Sequence, residues 1–209
     1  MPKKVDHEAR RREIAEALWR IASARGLDGA GLRDVAAEAG ISLGRLQHYF
    51  RSKDDMLAFA LRHINALADR RIRDRIEALD EEPTPRVVLR TCLVGMLPLD
   101  DRSRTGALVG AAYFVRAVHD ADLRAEAKNG IPHLRDFFTG QLRRAADRGE
   151  LPPARATDDE AMLLISLVDG LSTYLLLEVH TPEQALRLLD LHLGQLFDGR
   201  AGERRGAAG

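Results

Sequence analysis

The stretch that decides the fold is Leu32-Arg33-Asp34-Val35-Ala36-Ala37-Glu38-Ala39-Gly40-Ile41-Ser42-Leu43-Gly44-Arg45-Leu46-Gln47-His48-Tyr49-Phe50-Arg51-Ser52-Lys53. Two helices of about two turns each are predicted, one over Leu32 to Ala39 and one ending near Tyr49, joined by a tight turn at Gly40. Glycine at 40 supplies a left-handed turn residue without steric cost. Ser42 is placed to cap the second helix with its hydroxyl. Val35, Ala36, Ile41, Leu46 and Phe50 are spaced to share a small core, and Ala36 has to be small because the helices cross there. The outward face of the second helix then carries Leu43, Arg45, Gln47 and His48, a mixture of apolar and hydrogen-bonding groups suited to the edges of base pairs.

Working outward, a helix over His7 to Arg25 precedes this pair, with Ile14, Leu18 and Ile21 as an apolar stripe and Gly26 as its stop. A loop over Leu27 to Ala30 connects the two. After Phe50-Arg51-Ser52 a long helix is predicted from Lys53 to about Leu79, with Ser52 or Lys53 at its cap and Asp54 and Asp55 complementing its dipole. Further helices are expected at Pro85 to Met96, Arg104 to His119, Asp122 to Arg148, Asp158 to Val179 and Pro182 to Phe197. Thr84-Pro85 and Thr181-Pro182 both read as a cap followed by proline in the first turn. Thr157 with Glu160 reads as a capping box. Pro132 predicts a kink or break near Gly130. The tail from Gly199 to Gly209, rich in glycine, alanine and arginine, is expected to be disordered. Alternating strand patterns are missing, so the fold class is all-α with about nine helices.

Composition narrows the function classes. The formal net charge is zero over 209 residues, so any nucleic-acid surface has to be local. Residues 1–62 carry twelve basic and nine acidic groups, a local excess of three positive charges. The single cysteine, Cys92, excludes an internal disulfide framework and fits a reducing compartment. The apolar runs Ala107 to Val115 and Ala161 to Val168 fall short of the ~20 residues that cross a bilayer. The amino terminus lacks an apolar signal-peptide core. A soluble, cytoplasmic protein without membrane contact is expected. Seven scattered histidines form neither an H-E-x-x-H motif nor an i, i+4 pair, so no metal is expected. Gly29-x-Gly31 lacks the third glycine of a dinucleotide loop, and Gly170-Leu171-Ser172 is not a nucleophile elbow. No cofactor and no catalytic residue are predicted, and the chain is not read as an enzyme.

On these residues the chain resembles the amino-terminal domain of TetR-family transcriptional regulators. The likeness lies in Arg33-Asp34-Val35-Ala36, Glu38-Ala39-Gly40-Ile41-Ser42, Gly44, Leu46, His48-Tyr49-Phe50, Ser52-Lys53 and Leu57, and spans roughly residues 8–68. It implies a homodimer with a DNA-binding head at 1–52 and a ligand-binding and dimerisation body at 53–198, with the helix over 53–79 linking them. It implies DNA contacts from Gly31, Arg33, Ser42, Leu43, Gly44, Arg45, Gln47, His48, Tyr49 and Lys53, with Tyr49 and Lys53 on phosphates and Ser42 to His48 in the major groove. Two residues depart from the pattern: Gly31 stands where threonine is common, and Gln47 where tyrosine is common. The partners implied are a double-stranded DNA operator, a second copy joined through the helices near 158–179 and 182–197, and a small-molecule effector. Leu97-Pro98-Leu99-Asp100, Asp169-Gly170-Leu171 and the Thr181-Pro182 helix are similar to the carboxy-terminal domain of members related to the betaine-synthesis repressor, without carrying choline over as the ligand.

Other readings stay open at this point. Arg10, Arg11 and Arg12 are either a solvated helix face or phosphate contacts, and Trp19 is read as packing. Aromatic and soft apolar residues of the body are core by their spacing, while the family reading makes some of them pocket lining. The candidates are Met96, Tyr113, Phe114, His133, Phe137, Met162, Asp169 and Tyr174. The alternatives for the whole chain are a helical small-molecule binding or enzymatic protein with a vestigial head, and a regulator whose body is a packed block with no effector.

Overall fold

Apolar residues at three- and four-residue spacing, with caps and glycines between them, give nine α-helices among the described residues. These are α1 Lys3–Arg25, α2 Leu32–Glu38, α3 Leu43–Tyr49, α4 Lys53–Glu77, α5 Pro85–Met96, α6 Asp101–His119, α7 Ala121–Asp147, α8 Asp158–Leu176 and α9 Pro182–Phe197. The computed structural model describes residues 3–26, 31–79 and 82–197. The expected loop at Leu27 to Ala30 and the tail from Gly199 lie outside the described residues. A 3-10 turn at Pro153–Arg155 was not expected from the sequence.

The described residues pack as two compact units, those within 1–70 with 98–128, and those within 71–97 with 129–197. In the first, the predicted stripe Ile14, Leu18 and Ile21 is buried together with Val35, Ala36, Leu46, Phe50, Met56 and Leu57. Helix α6 closes this core with Val109, Tyr113 and Ala117, one residue per turn. It lies close on α4, because a Cβ at Gly106 would come within 2.9 Å of the Ile64 Cγ2. Two ion pairs tie α4 to its neighbours at the rim: Arg116 of α6 with Asp54, and Glu126 of α7 with Arg62. The Tyr113 hydroxyl, buried inside, donates to the Leu123 carbonyl at 2.9 Å, and burial pushes its phenol pKa upward.

In the second unit, buried rows of α5, α8 and α9 meet: Leu89 and Leu93, Leu164 and Val168, and Leu189 and Leu193. A Cβ at Gly95 would fall 2.5 Å from the Ile72 Cγ1, so α5 and the end of α4 approach closely there. Arg90 donates twice to Asp190, at 2.6 and 2.9 Å, and this holds the Asp190 carboxyl below its usual range. Glu160 is a buried carboxylate whose Oε2 accepts from Arg155 Nε at 2.9 Å, with His192 Nε2 3.7 Å from its other oxygen.

Several helix ends differ from the sequence reading. Helix α1 begins at Lys3 rather than His7. Helix α6 begins at Asp101 rather than Arg104, because Asp100 and Ser103 form a reciprocal capping box. Helix α8 ends at Leu176 rather than Val179. Glu178 adopts a left-handed conformation (φ 58°), and the amides of Glu178 and Val179 return to the carbonyls of Leu175 and Tyr174. The box expected at Thr157 is only half made. Thr157 accepts from the Glu160 amide at 3.1 Å, but the Glu160 side chain is committed to Arg155. A complete box sits instead at Thr181, whose amide donates to Gln184 Oε1 at 2.8 Å while its hydroxyl accepts from the Gln184 amide. No break occurs near Gly130, for α7 runs unbroken through Pro132. Lys128, Gly130, Ile131, Pro132 and His133 are all exposed. The carbonyl that the proline leaves without a donor is therefore open to water, which offsets part of the penalty.

Candidate nucleic-acid interface

Helix α3 has seven residues, of which only Leu46 is buried. It is therefore held mainly by its ends. At the first end, the Gly40 and Ile41 amides donate to the carbonyls of Ala37 and Ala36, with Gly40 at φ +65°. Ser42 then accepts from the Arg45 amide at 3.2 Å, the cap expected from its position. Gly31 caps α2 through its backbone alone, its carbonyl accepting from the Asp34 and Val35 amides and its amide donating to Asp34 Oδ2 at 2.8 Å.

The side chains left outward by this arrangement are Arg45, Gln47 and His48, with Gly44 presenting open space where a Cβ would stand. Leu43 and Tyr49 are half-buried at the margins of the same face, and Ser42 and Arg33 are exposed. Lys53 is half-buried at the start of α4, where the Ser52 hydroxyl accepts from the Asp55 amide at 3.1 Å.

The arginines of α1, α2, α3 and the turn after α3 whose side chains are described divide into two groups. Arg10 pairs with Glu13, Arg12 with Glu8, Arg20 with Glu38 and Arg11 with Asp55. Arg33, Arg45 and Arg51 are exposed, and their side chains enter no hydrogen bond or ion pair among the described residues. Along this stretch the unengaged arginines lie on α2, α3 and the turn after it, where an unshared positive charge favours a polyanion. The triple arginine run proves to be two exposed ion pairs around one inward residue.

One residue at this face was missed in the sequence. His7 packs on Tyr49 with ring centroids 4.9 Å apart and lies 6.0 Å from the His48 ring. Forty residues separate them in the chain, and no local pattern signals such a contact. Trp19, read as packing, stacks on His63 at 5.2 Å and 17°. Desolvation, and secondarily the Arg12 charge, lower the pKa of His63.

The candidate ligand residues fall into both units. Tyr113 is sealed in the first, while its neighbour Phe114 is exposed. In the second, Met96 and Met162 are half-buried, and His133, Phe137, Asp169 and Tyr174 are exposed, Tyr174 against the His180 ring at 5.4 Å. Desolvation raises the Asp169 carboxyl above the ordinary 3.8 although the residue as a whole is exposed. A raised acid pKa means that ionising Asp169 opposes folding at neutral pH, and the penalty disappears as pH falls through the raised value. Asp169→Asn is therefore expected to raise the melting temperature slightly at pH 7 and to match the parent below pH 4. An equal shift at both pH values would show that the carboxyl is not desolvated.

The family described as bacterial regulatory proteins, tetR family, matches residues 14–59. The family described as BetI-type transcriptional repressor, C-terminal, matches residues 85–198. The HTH-type transcriptional regulator PksA of Bacillus subtilis is 38% identical over 85% of this chain and 84% of its own length. A transcriptional regulator from Rhodococcus sp. RHA1 superposes with a TM-score of 0.75 at 30% identity, covering 90% of this chain and 96% of that one. A regulator from Saccharomonospora viridis, crystallised in complex with choline, superposes with a TM-score of 0.76 at 23% identity, covering 91% and 96%.

Proposed function

Because the chain belongs to the TetR family of DNA-binding transcriptional regulators, we propose that it acts as a homodimeric repressor of a palindromic operator, released by a small apolar or amphipathic effector. The observation that carries the DNA half of this reading is the outward row Arg45, Gln47 and His48 beside the unengaged Arg33 and Arg51. In this reading Arg45, Gln47 and His48 read base edges, and Ser42, Tyr49 and Lys53 fix the helix on phosphates. Leu43, Gly44, Gly31 and Arg33 complete the contact zone. Two such helices in a dimer sit about one DNA turn apart, ~34–36 Å, which demands an inverted repeat.

The functional division we adopt is a head over 1–52 and a body over 53–198, with α4 as the shared element. Helix α4 runs without interruption from the first packing unit into the second. An effector that binds the body better in one placement of α4 shifts the spacing of the heads by its differential affinity. The structural neighbour from Saccharomonospora viridis was crystallised in complex with choline, which supports a small-molecule effector for a protein of this fold.

Sequence-specific capture from a genomic fragment pool tests the reading. One inverted repeat should be enriched. Gln47→Ala and His48→Ala should each weaken binding to it by about 1–3 kcal/mol, roughly 5- to 150-fold. Absence of any enriched palindrome, or binding indifferent to both substitutions, overturns it.

A further inference from the structure

We infer that Arg11, acting through Asp55, is a positioning residue for DNA recognition that sets the angle at which α3 is presented. The inference rests on the reading that α3 enters the major groove. Arg11 Nη2 donates to Asp55 Oδ1 at 3.1 Å, and Asp55 Oδ2 accepts from the Arg51 amide, also at 3.1 Å. The Asp55 amide in turn donates to the Ser52 hydroxyl. One carboxylate therefore ties the middle of α1 to the three-residue turn Phe50-Arg51-Ser52. That turn is the covalent link between the recognition helix and α4.

The guanidinium is also fixed from both sides. Its carbon lies 4.6 Å from the centroid of the Phe50 ring and 4.4 Å from that of Phe59, and the two rings are themselves 5.6 Å apart at 63°. Phe50 is the last residue capping α3, and Phe59 belongs to α4. A planar guanidinium can lie against both rings and still donate in its plane to a carboxylate, which a lysine ammonium cannot do. The neighbouring Arg10 and Arg12 pair with glutamates on their own helix at the surface, an arrangement that fixes no second element.

This matters because α3 buries only Leu46 of its own residues and is held mainly at its ends, where Phe50 at the C-cap carries the Arg11 guanidinium. A seven-residue helix with one buried side chain pivots unless both ends are held. The Gly40 turn holds one, and the Arg11–Asp55 bracket holds the other. Bidentate base contacts tolerate only a few tenths of an ångström, so a small rotation of α3 costs recognition while leaving phosphate attraction in place.

The test uses the full chain and two labelled duplexes: one carrying the palindrome enriched by capture, the other a scrambled sequence of equal length. Arg11→Lys, Arg11→Met and Asp55→Asn should each lower the ratio of specific to scrambled affinity by about tenfold. The slope of log affinity against log salt should stay unchanged, and Arg11→Met/Asp55→Asn should be no worse than either single change. Circular dichroism establishes that each variant is folded at the assay temperature. A slope reduced by about one in Arg11→Met and restored in Arg11→Lys would make Arg11 a phosphate contact and overturn the proposal. Losses equal on both duplexes and tracking the unfolded fraction would overturn it in favour of a purely structural role. Gln47→Ala and His48→Ala run alongside. If they too leave the ratio intact, the α3 reading falls and this one with it. If they lower it while the Arg11 variants do not, only the positioning role fails.

Discussion

Replacing Phe50 with alanine is expected to lower the unfolding free energy of the amino-terminal unit by about 3–5 kcal/mol, the usual cost of deleting a buried aromatic ring. Phe50 is completely buried. Its ring meets Phe59 edge to face and carries the Arg11 guanidinium on its surface, so truncation removes apolar burial, a ring pair and a cation–π contact together. Its amide closes α3 by donating to the Leu46 carbonyl. A domain of this size has roughly 5–15 kcal/mol in all, so the variant should retain folded body helices with a head that opens readily. Urea unfolding followed by circular dichroism should show an early transition absent from the parent, and palindrome binding should be lost at temperatures where the later transition has not begun. Phe50→Leu, which keeps much of the volume, should recover most of the stability. A midpoint shift worth under 1 kcal/mol in Phe50→Ala would mean that the α3–α4 turn is supported by something other than this ring.

What the sequence discloses and what it conceals divide along the range of the interaction. The helix pair at 32–50 was legible because its determinants lie within one turn of each other: Gly40 for the left-handed turn, Ser42 for the cap, Leu46 and Phe50 for the buried side. The same holds for Thr84-Pro85, where Thr84 accepts from the Val87 amide. Boundaries failed where a distant or unexpected partner intervened. Glu160 was expected to fold back on Thr157, but Arg155 claims its carboxylate. Glu178 takes a conformation favoured by glycine, which no propensity announces. The run Arg10 to Arg12 reads as uniform charge, yet its middle member is drawn inward by a carboxylate 44 residues away.

The ligand candidates show the same limit on α6. Its row Val109, Tyr113 and Ala117 is buried while Phe114, Val115 and Val118 are exposed. Tyr113 and Phe114 are adjacent in sequence and about 100° apart around the helix. With apolar residues on both sides, periodicity has no contrast from which to choose the inner one. Asp55 is a further instance, since an acidic residue in a first helical turn is explained by the dipole alone. Only its two partners, Arg11 and the Arg51 amide, disclose the second role.

That two-sidedness becomes a prediction on α8 and α9. Each helix buries one apolar row and exposes another, Leu163 and Tyr174 on α8 with Leu177 at its C-cap, and Leu188 and Leu191 on α9. Leu177 is 66% exposed and Leu191 58%. A Cβ at Gly170, within the α8 row, would meet open space, leaving room for another backbone to approach. A helix apolar on both sides is stable in water only if something covers the second side, and the homodimer reading assigns that cover to the same rows of a second copy. Leu191→Glu separates the two levels. In the isolated protomer an exposed leucine exchanged for glutamate should change stability by less than about 0.5 kcal/mol. In a two-fold dimer the change brings two uncompensated carboxylates into one apolar interface, at a cost of about 3–5 kcal/mol, roughly 150- to 5,000-fold in the dimer dissociation constant. Sedimentation at micromolar concentration should show a dimer for the parent and a monomer for the variant, with unchanged helicity. Palindrome affinity should fall with dimerisation, because each half-site then has to be bound separately. A variant that still sediments as a dimer would place the interface elsewhere, and a parent that is monomeric would remove the dimer altogether.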